Sequence, residues 1–306
     1  MADFEIHTIS WKDASYPRLL RETKNAPRNL FYRGVLPRAD ELMVAIVGTR
    51  KATEEGKIIA RQMASELSKN GIAVVSGLAL GIDAAAHSGS VASGGRTVAV
   101  LGNGLGSIFP AANERLAWEI LEKGGCIMSE YPSDTPPYRS NFLERNRIVA
   151  GLGVATIVLE APRRSGALVT ARFAAEEGRE VFVVPGGARN GNYDGSHALI
   201  RNGARLAANA SQVLEDLEEI APLYGFAVRF TQQNLFLDRE ESVLVDAMRK
   251  AAGLLTIDKL SEITHLEIHI INQKLTFLIL AGIAAETEGS FGLKSGKEIN
   301  ESREKP

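Results

Sequence analysis

Residues 42–87 read LMVAIVGTRKATEEGKIIARQMASELSKNGIAVVSGLALGIDAAAH, and this stretch decides the fold. The apolar run at 42–47 is too short for a membrane helix and predicts a buried parallel strand, as does Ile72–Val75. Between them, apolar residues at helical spacing predict a helix that ends at Asn70-Gly71. Each strand is followed by a glycine loop and a helix. The stretch therefore predicts the βαβ unit of a doubly wound sheet.

The two glycine loops, Gly48–Arg50 and Ser76–Asp83, follow these strands directly. Ligands of doubly wound sheets bind outside the carboxyl ends of the strands, and helix starts there present backbone N–H groups to anions. Arg50 adds forked donors that suit a phosphate. The loops therefore predict a phosphate-facing edge. The alternative is that Arg50 pairs with a nearby acid such as Glu54.

The composition is that of an ordinary globular protein. The 306 residues are 45% hydrophobic and 24% charged, enough for one α/β domain and a small second one. No apolar run approaches the ~20 residues of a membrane span, and the first residues lack a signal peptide pattern. The single cysteine, Cys126, predicts a buried thiol in a reducing compartment, so we expect a cytoplasmic protein. The net charge of −2 does not favour nucleic acid, but arginines recur near the glycine loops.

The rest of the chain repeats strand, glycine loop and helix, which predicts a mostly parallel sheet with helices on both faces. The further strands are predicted at Thr97–Leu101, Cys126–Glu130, Val154–Leu159 and Glu180–Val184. The further helices are predicted at Asn113–Lys123, Asn141–Leu152, Ala167–Glu177, Ser196–Asn202 and Ala210–Leu217.

The C-terminal region has a different pattern, with three helices and a hairpin in about sixty residues, as in a winged helix. Asp238 is its expected first N-cap. The predicted organisation is an N-terminal extension (1–41) packed on the main domain, a Rossmann-like domain (42–221), a linker (222–237), a winged-helix-like domain (238–294) and a disordered tail (295–306).

Other motifs give weaker signals for catalysis. Asp83 and His87 share a helix face, and we favour a structural hydrogen bond that fixes the loop over an acid–base pair. The five histidines show no metal-ligand spacing. Gly102–Gly106 matches a dinucleotide fingerprint only loosely, and no Walker A motif is present. We therefore predict no metal, no cofactor and no nucleotide hydrolysis.

Two further cationic segments lie at predicted helices. Arg145-Asn146-Arg147 follows Phe142, so the cations can contact phosphates while the ring stacks on a base. The alternative is a solvated helix face with Phe142 in the core. Arg163–Gly166 places cations and amides at a helix start, with the same two interpretations.

In their order and spacing these motifs resemble the DNA-processing protein A family, also called DprA or Smf. The resemblance spans most of residues 16–217. It is carried by Tyr16-Pro17, Leu30-Phe31-Tyr32, Gly48-Thr49-Arg50, Ser76-Gly77-Leu78-Ala79, Gly81-Ile82-Asp83, Ala86-His87, Phe142, Arg145-Asn146-Arg147-Ile148, Ser165-Gly166-Ala167-Leu168, Thr170-Ala171, Val184-Pro185-Gly186, Gly195-Ser196, Leu199-Ile200 and Gly203-Ala204.

The resemblance implies an extended Rossmann-like domain that binds single-stranded DNA without catalysis. It also implies protection of incoming DNA during natural transformation in competent cells, loading of the RecA recombinase, and a homodimer formed through about Gly195 to Leu214. The DNA-binding residues expected from the loops and the resemblance together are Gly48, Thr49, Arg50, Ser76, Gly77, Phe142, Arg145, Asn146, Arg147, Arg163, Ser165 and Gly166.

The chain also departs from the family pattern. Relatives often carry an aspartate and a lysine where this chain reads Leu105–Ala111, which predicts a weaker strand contact. The expected recognition helix offers few phosphate-binding side chains, so we interpret the C-terminal module as a protein-contact or weak DNA element. These side chains are Glu267, His269, Gln273 and Lys274.

Two other functions remain open at this stage. One is a nucleotide-processing Rossmann-like enzyme of the nucleoside-monophosphate glycosyl hydrolase type. In that class Pro-Gly-Gly is followed by Gly-Thr and a glutamate, whereas Pro185-Gly186-Gly187 continues into Ala188-Arg189-Asn190 here. The other is a recruitment protein that acts through its C-terminal module.

Overall fold

The computed structural model describes residues 4–228, 239–251, 253–280, 283–287 and 289–293. These residues form two compact units, one ending at residue 228 and the other beginning at residue 239.

The first unit is built on one nine-stranded sheet with the order β1-β2-β6-β5-β4-β3-β7-β8-β9. Neighbours from β6 to β9 pair in parallel, whereas β1 and β2 are antiparallel. The doubly wound, mostly parallel fold is therefore confirmed. The strands are β1 (His7–Ser10), β2 (Asn29–Gly34), β3 (Met43–Gly48), β4 (Ala73–Ser76), β5 (Thr97–Val100), β6 (Cys126–Ser129), β7 (Ala155–Leu159), β8 (Glu180–Val183) and β9 (Arg205–Leu206).

Helices cover both faces of this sheet, which explains why its central strands are apolar throughout. Val44 and Ile46 of β3 point into the core on one face, and Ala45 and Val47 point into the core on the other. The helices of this unit are α1 (Arg18–Arg21), α2 (Glu54–Lys69), α3 (Ile82–Ala92), α4 (Glu114–Glu122), α5 (Arg139–Leu152), α6 (Gly166–Glu176), α7 (Asp194–Arg201) and α8 (Ala210–Ile220).

The helix predicted between the first two parallel strands is α2. Its N-cap is Thr53, whose hydroxyl accepts a hydrogen bond from the Gly56 amide at 3.0 Å, and the chain leaves the helix through Gly71 at a φ of +77°. The predicted apolar stripe is mostly buried, including Met63 and Leu67, but Ile58 is exposed.

The N-terminal extension was expected to pack on the sheet, and it instead enlarges the sheet. Strand β2 joins its edge by antiparallel pairing with β6, and β1 pairs in turn with β2, also antiparallel. Because these strands are half exposed, they lack the continuous apolar runs that identify the central strands. The two-residue strand β9 at the opposite edge was not predicted for the same reason.

The linker expected from Pro222 does not begin there. Residues 222–228 belong to the first unit, because Phe226 is buried in its core and Arg18 donates to the carbonyl of Tyr224. The remainder of that segment, 229–237, lies outside the described residues, as do the expected N-cap Asp238 and the tail 295–306.

The second unit contains the predicted three helices and hairpin. Helices α9 (Arg239–Ala251), α10 (Ile257–Thr264) and α11 (Ile268–Leu280) pack against a small antiparallel sheet. Its order is β10-β12-β11, and its strands are β10 (Leu255–Thr256), β11 (Ala284–Thr287) and β12 (Ser290–Leu293).

No helix in the described ranges combines the length and apolar character needed to span a bilayer. Cys126 lies fully buried in β6, and this burial raises the pKa of its thiol to about 12. The prediction of a buried core thiol is confirmed.

His87 on α3 is a buried histidine held in its neutral form. The Thr97 hydroxyl donates to the carbonyl of Val74, so it accepts from the His87 Nδ1–H 2.7 Å away. Burial, followed by the nearby charge of Arg145, lowers the pKa of the imidazole to about 3.

This burial predicts acid sensitivity. Below pH 6.5 the unfolded chain protonates at His87 while the folded chain does not, so the free energy of unfolding falls as the pH drops from about 6.5 toward 3. The contribution is at most about 1.4 kcal/mol per pH unit. Urea titrations followed by the fluorescence of Trp11 and Trp118, both in the first unit, measure it. His87→Gln should show a shallower pH dependence, and equal slopes would contradict the assignment.

Candidate nucleic-acid interface

A cleft of about 650 Å³ opens at the carboxyl edge of the sheet in the first unit. It lies between the ends of β3 and β7, where the strand order reverses, because β3 has β4 on one side and β7 on the other. Doubly wound sheets bind their ligands at such a switch point. The loops after both strands line the cleft, together with the starts of α5 and α6.

Nine of the twelve predicted DNA-binding residues line this cleft, so the structure brings most of them together. These nine are Gly48, Thr49, Arg50, Gly77, Phe142, Arg145, Asn146, Ser165 and Gly166.

The other three lie elsewhere. The Ser76 hydroxyl is buried and donates to the carbonyl of Ile46 at 2.6 Å, which ties β4 to β3. Arg147 points away from the cleft and pairs with Glu130 at 2.5 Å. Arg163 is exposed and lies 3.4 Å from the carboxylate of Asp194. A role for these three in DNA binding stays a prediction.

Arg50 stands at the mouth of the cleft with its guanidinium exposed. Its Cζ lies 5.4 Å from the centroid of the Phe142 ring. The pairing of Arg50 with Glu54 is not observed, since Glu54 pairs with Lys57 at 2.6 Å. Gly81, at a φ of +83°, lies so close to the backbone of the first glycine loop that any Cβ there would overlap it. The two loops therefore hold each other in place.

Glu160, directly after β7, fixes the same loop from the other side. Its side chain is fully buried, and one carboxylate oxygen accepts from the Thr53 amide at 2.9 Å and from Asn192 Nδ2 at 3.1 Å. The Thr53 hydroxyl donates to the second oxygen, and the carbonyl of Glu160 accepts from the Thr49 amide at 2.9 Å. These bonds join the loops after β3, β7 and β8.

Arg145 lines the floor of the cleft and is only 3% exposed. Its Nη1 donates to the carbonyl of Gly77 at 2.7 Å and also to that of Val100. Burial lowers the pKa of its guanidinium to about 10, and the Asp83 carboxylate opposes that shift, so Arg145 stays cationic at neutral pH. Its main contacts are backbone carbonyls of this chain.

Asp83 secures the second glycine loop. Its Oδ2 accepts from the amides of Gly77 at 3.1 Å and Ala79 at 3.4 Å. Burial raises the pKa of this carboxyl, while the charge of Arg145 acts in the opposite direction. These bonds fix the loop, as the structural interpretation predicted, whereas the alternative acid–base pair is not formed because His87 bonds to Thr97.

The cleft also contains residues that the predicted DNA-binding set lacks, among them Phe109, Arg139, Leu143 and Arg164. Arg139 opens α5, and Arg164 precedes Ser165, whose side chain caps α6 by accepting from the Ala167 amide at 3.1 Å. A cation at a predicted helix start is the sequence signal for both arginines. Sequence gives no such signal for Phe109, because its nearness to Phe142 is tertiary.

The charge balance of the cleft is cationic. Arg50, Arg139 and Arg164 are exposed, and none of them has an acidic partner within 4.0 Å in the described part of the chain. The same part of the chain contains no group of three His, Cys, Asp or Glu side chains placed to hold a metal ion. Cationic side chains beside helix-start amides suit a phosphate-bearing ligand.

These features define a doubly wound α/β protein with a cationic, aromatic-lined cleft at its switch point. The model of the DNA recombination-mediator protein A family matches residues 7–218, and the chain belongs to that family. It is 42% identical over 212 residues to protein Smf of Escherichia coli and 42% identical over 211 residues to DNA processing protein DprA of Streptococcus pneumoniae. These matches cover 69% of this chain in both cases, 57% of the first relative and 74% of the second. The chain thus spans little more than half the length of the Escherichia coli protein.

Solved structures show the same relationship. The X-ray structure of DprA from Streptococcus pneumoniae superposes with a TM-score of 0.65 at 41% identity, over 70% of this chain and 75% of that one. DNA processing protein A from Helicobacter pylori, whose structure describes a single-stranded DNA binding mode, superposes with a TM-score of 0.62 at 31% identity. That match covers 71% of this chain and 97% of the other.

Gly77 offers a test of how the site is held. A Cβ at this position would overlap the guanidinium of Arg145, so Gly77→Ala should displace the arginine and break its bonds to the two carbonyls. We expect the free energy of unfolding to fall by about 1–3 kcal/mol in urea titrations. Gly187→Ala is the matched control, since nothing lies within 4 Å of its added Cβ. Equal losses for the two variants would contradict this account of Arg145.

Proposed function

We propose that this protein is a recombination mediator that binds single-stranded DNA in the cationic cleft. The observation that carries the proposal is the group of exposed arginines, Arg50, Arg139 and Arg164, around helix-start amides and aromatic rings. Phosphates would lie against the arginines and bases against the apolar wall. The binding mode described for the Helicobacter pylori relative supports this assignment.

We further propose that the bound strand is protected and passed to the RecA recombinase, including during natural transformation. The setting is the cytoplasm, in keeping with the unpaired Cys126. The second unit exposes Ile268 and Phe277 on α11, which supports a role in protein contact rather than in reading duplex DNA.

We propose that the protein binds single-stranded DNA without catalysing a reaction on it. Asp83, a carboxylate that lines the cleft, is held by two backbone amides and by the charge of Arg145. The nucleoside-monophosphate hydrolase alternative requires release of nucleobase from mononucleotides, and we expect none. Nucleobase release that the Asp83→Asn substitution abolishes would instead favour the hydrolase alternative.

The arginines give the direct test of the proposed site. Arg50→Ala and Arg164→Ala should each weaken binding of a labelled oligothymidine about tenfold, since each removes a charged phosphate contact. Each should also lower the slope of log affinity against log salt by about 0.7. Fluorescence anisotropy across a salt series, with duplex as competitor, measures both quantities.

The matched control is Arg115→Ala, which removes an exposed cation that pairs with Glu119 on α4, outside the cleft. We expect its affinity to stay within about twofold of the parent. The proposal would be wrong if Arg50→Ala bound the strand as tightly as the parent protein does. It would also be wrong if an equal amount of duplex displaced the strand.

The proposed homodimer uses residues between Gly195 and Leu214. Leu206 lies in that range on the edge strand β9 and is 52% exposed, which supports the assignment. Leu206→Glu should shift the protein from dimer to monomer in size-exclusion chromatography with light scattering, because the interface would bury an unpaired charge. Leu223→Glu, at a leucine that is 81% exposed outside the range, should leave the mass unchanged. A dimeric Leu206→Glu protein would contradict this interface.

A further inference from the structure

The cleft has two chemically different walls. Arginines Arg50, Arg139 and Arg164 supply the charge, whereas Phe109 and Leu143 present apolar surface to the same space. Phe109 is 39% exposed and Leu143 is 47% exposed. Large apolar side chains left open beside cations suit a ligand that is anionic on one side and flat and apolar on the other.

Phe142, the aromatic residue predicted to stack on a base, is already engaged within the protein. The guanidinium of Arg50 covers its ring at 5.4 Å, and Phe109 packs against it with ring centroids 5.5 Å apart and a tilt of 38°. Phe142 also packs against Gly102, where an added Cβ would overlap the ring. Phe142 therefore serves as a support, and Phe109 is the more exposed ring of the pair.

The loop that carries Phe109 is held firmly. The amides of Gly104 and Gly106 donate to the carbonyls of Thr135 and Ser133 at 2.9 and 2.8 Å. Within the loop, the side-chain amide of Asn103 donates to the carbonyl of Ser107 at 2.9 Å. Ordering a ring before binding lowers the entropic cost of using it as a contact.

We propose that Phe109 is the side chain on which an unpaired nucleobase stacks, with Phe142 and Arg50 holding its ring in position. The inference rests on the proposed binding of single-stranded DNA and names the part of the strand that this wall contacts. In a duplex the base faces are covered by their neighbours, so this contact favours single strands.

Binding of two strands of equal length can distinguish the base contact from the phosphate contacts. One is a labelled oligothymidine and the other a labelled abasic strand with the same number of phosphates. Phe109→Leu keeps an apolar side chain but removes the aromatic face, so it should weaken oligothymidine binding about tenfold and leave abasic binding within about twofold. Phe109→Tyr, which restores the face, should recover oligothymidine binding.

Trp11→Leu is the matched control, because Trp11 is 43% exposed and lies outside the cleft. It should bind both strands as the parent does, whereas Arg50→Ala should weaken both. Equal weakening of the two strands by Phe109→Leu would overturn the inference, because the ring would then only shape the cleft. Unchanged binding of both strands would overturn it as well. If the parent binds neither strand, the proposed function itself fails.

Discussion

The arrangement of the cleft depends on one residue, Gly77, whose backbone amide and carbonyl are both bound by buried ionisable side chains. Its amide donates to Asp83 from α3, and its carbonyl accepts from Arg145 of α5. Burial acts against the charged form of each side chain, and each charge opposes the effect of burial on the other. Loss of either partner would leave a buried charge unpaired, which is costly, so the two side chains together restrain the second glycine loop.

Glu160 performs the corresponding task for the first glycine loop. Its backbone lies at a φ of +42°, in the left-handed region that non-glycine residues rarely adopt. This conformation accompanies a carboxylate directed inward, where it accepts from Thr53 and Asn192. Gly56 on α2 has no Cβ and so leaves room for that carboxylate. Two buried acids and one buried arginine thus hold the loops that present Arg50 to solvent.

Sequence reasoning succeeds where a residue's role follows from its local pattern. The central strands are buried on both faces, so their apolar runs identify them, and the carboxyl ends of those strands locate the cleft. Strands β1, β2 and β9 escape prediction because they are partly exposed and lack continuous apolar runs, and β1 and β9 are also short edge strands. Arg145 and Arg147 lie two residues apart on one helix. Arg145 donates to a backbone carbonyl at the floor of the cleft, whereas Arg147 pairs with Glu130. Neither composition nor spacing separates these roles, because they depend on which face of α5 meets the sheet.

The arginines of the cleft differ in how their charge is balanced. The buried Arg145 donates to backbone carbonyls and interacts favourably with the Asp83 carboxylate. Its charge is therefore largely balanced within the protein. Arg50, Arg139 and Arg164 lack such partners among the described residues and are exposed, so solvent and counterions balance their charges. In the proposed function, an anionic strand would pair with these charges while releasing its own counterions to solution. The buried charges therefore fix the shape of the cleft, whereas the exposed arginines remain available to an anionic ligand.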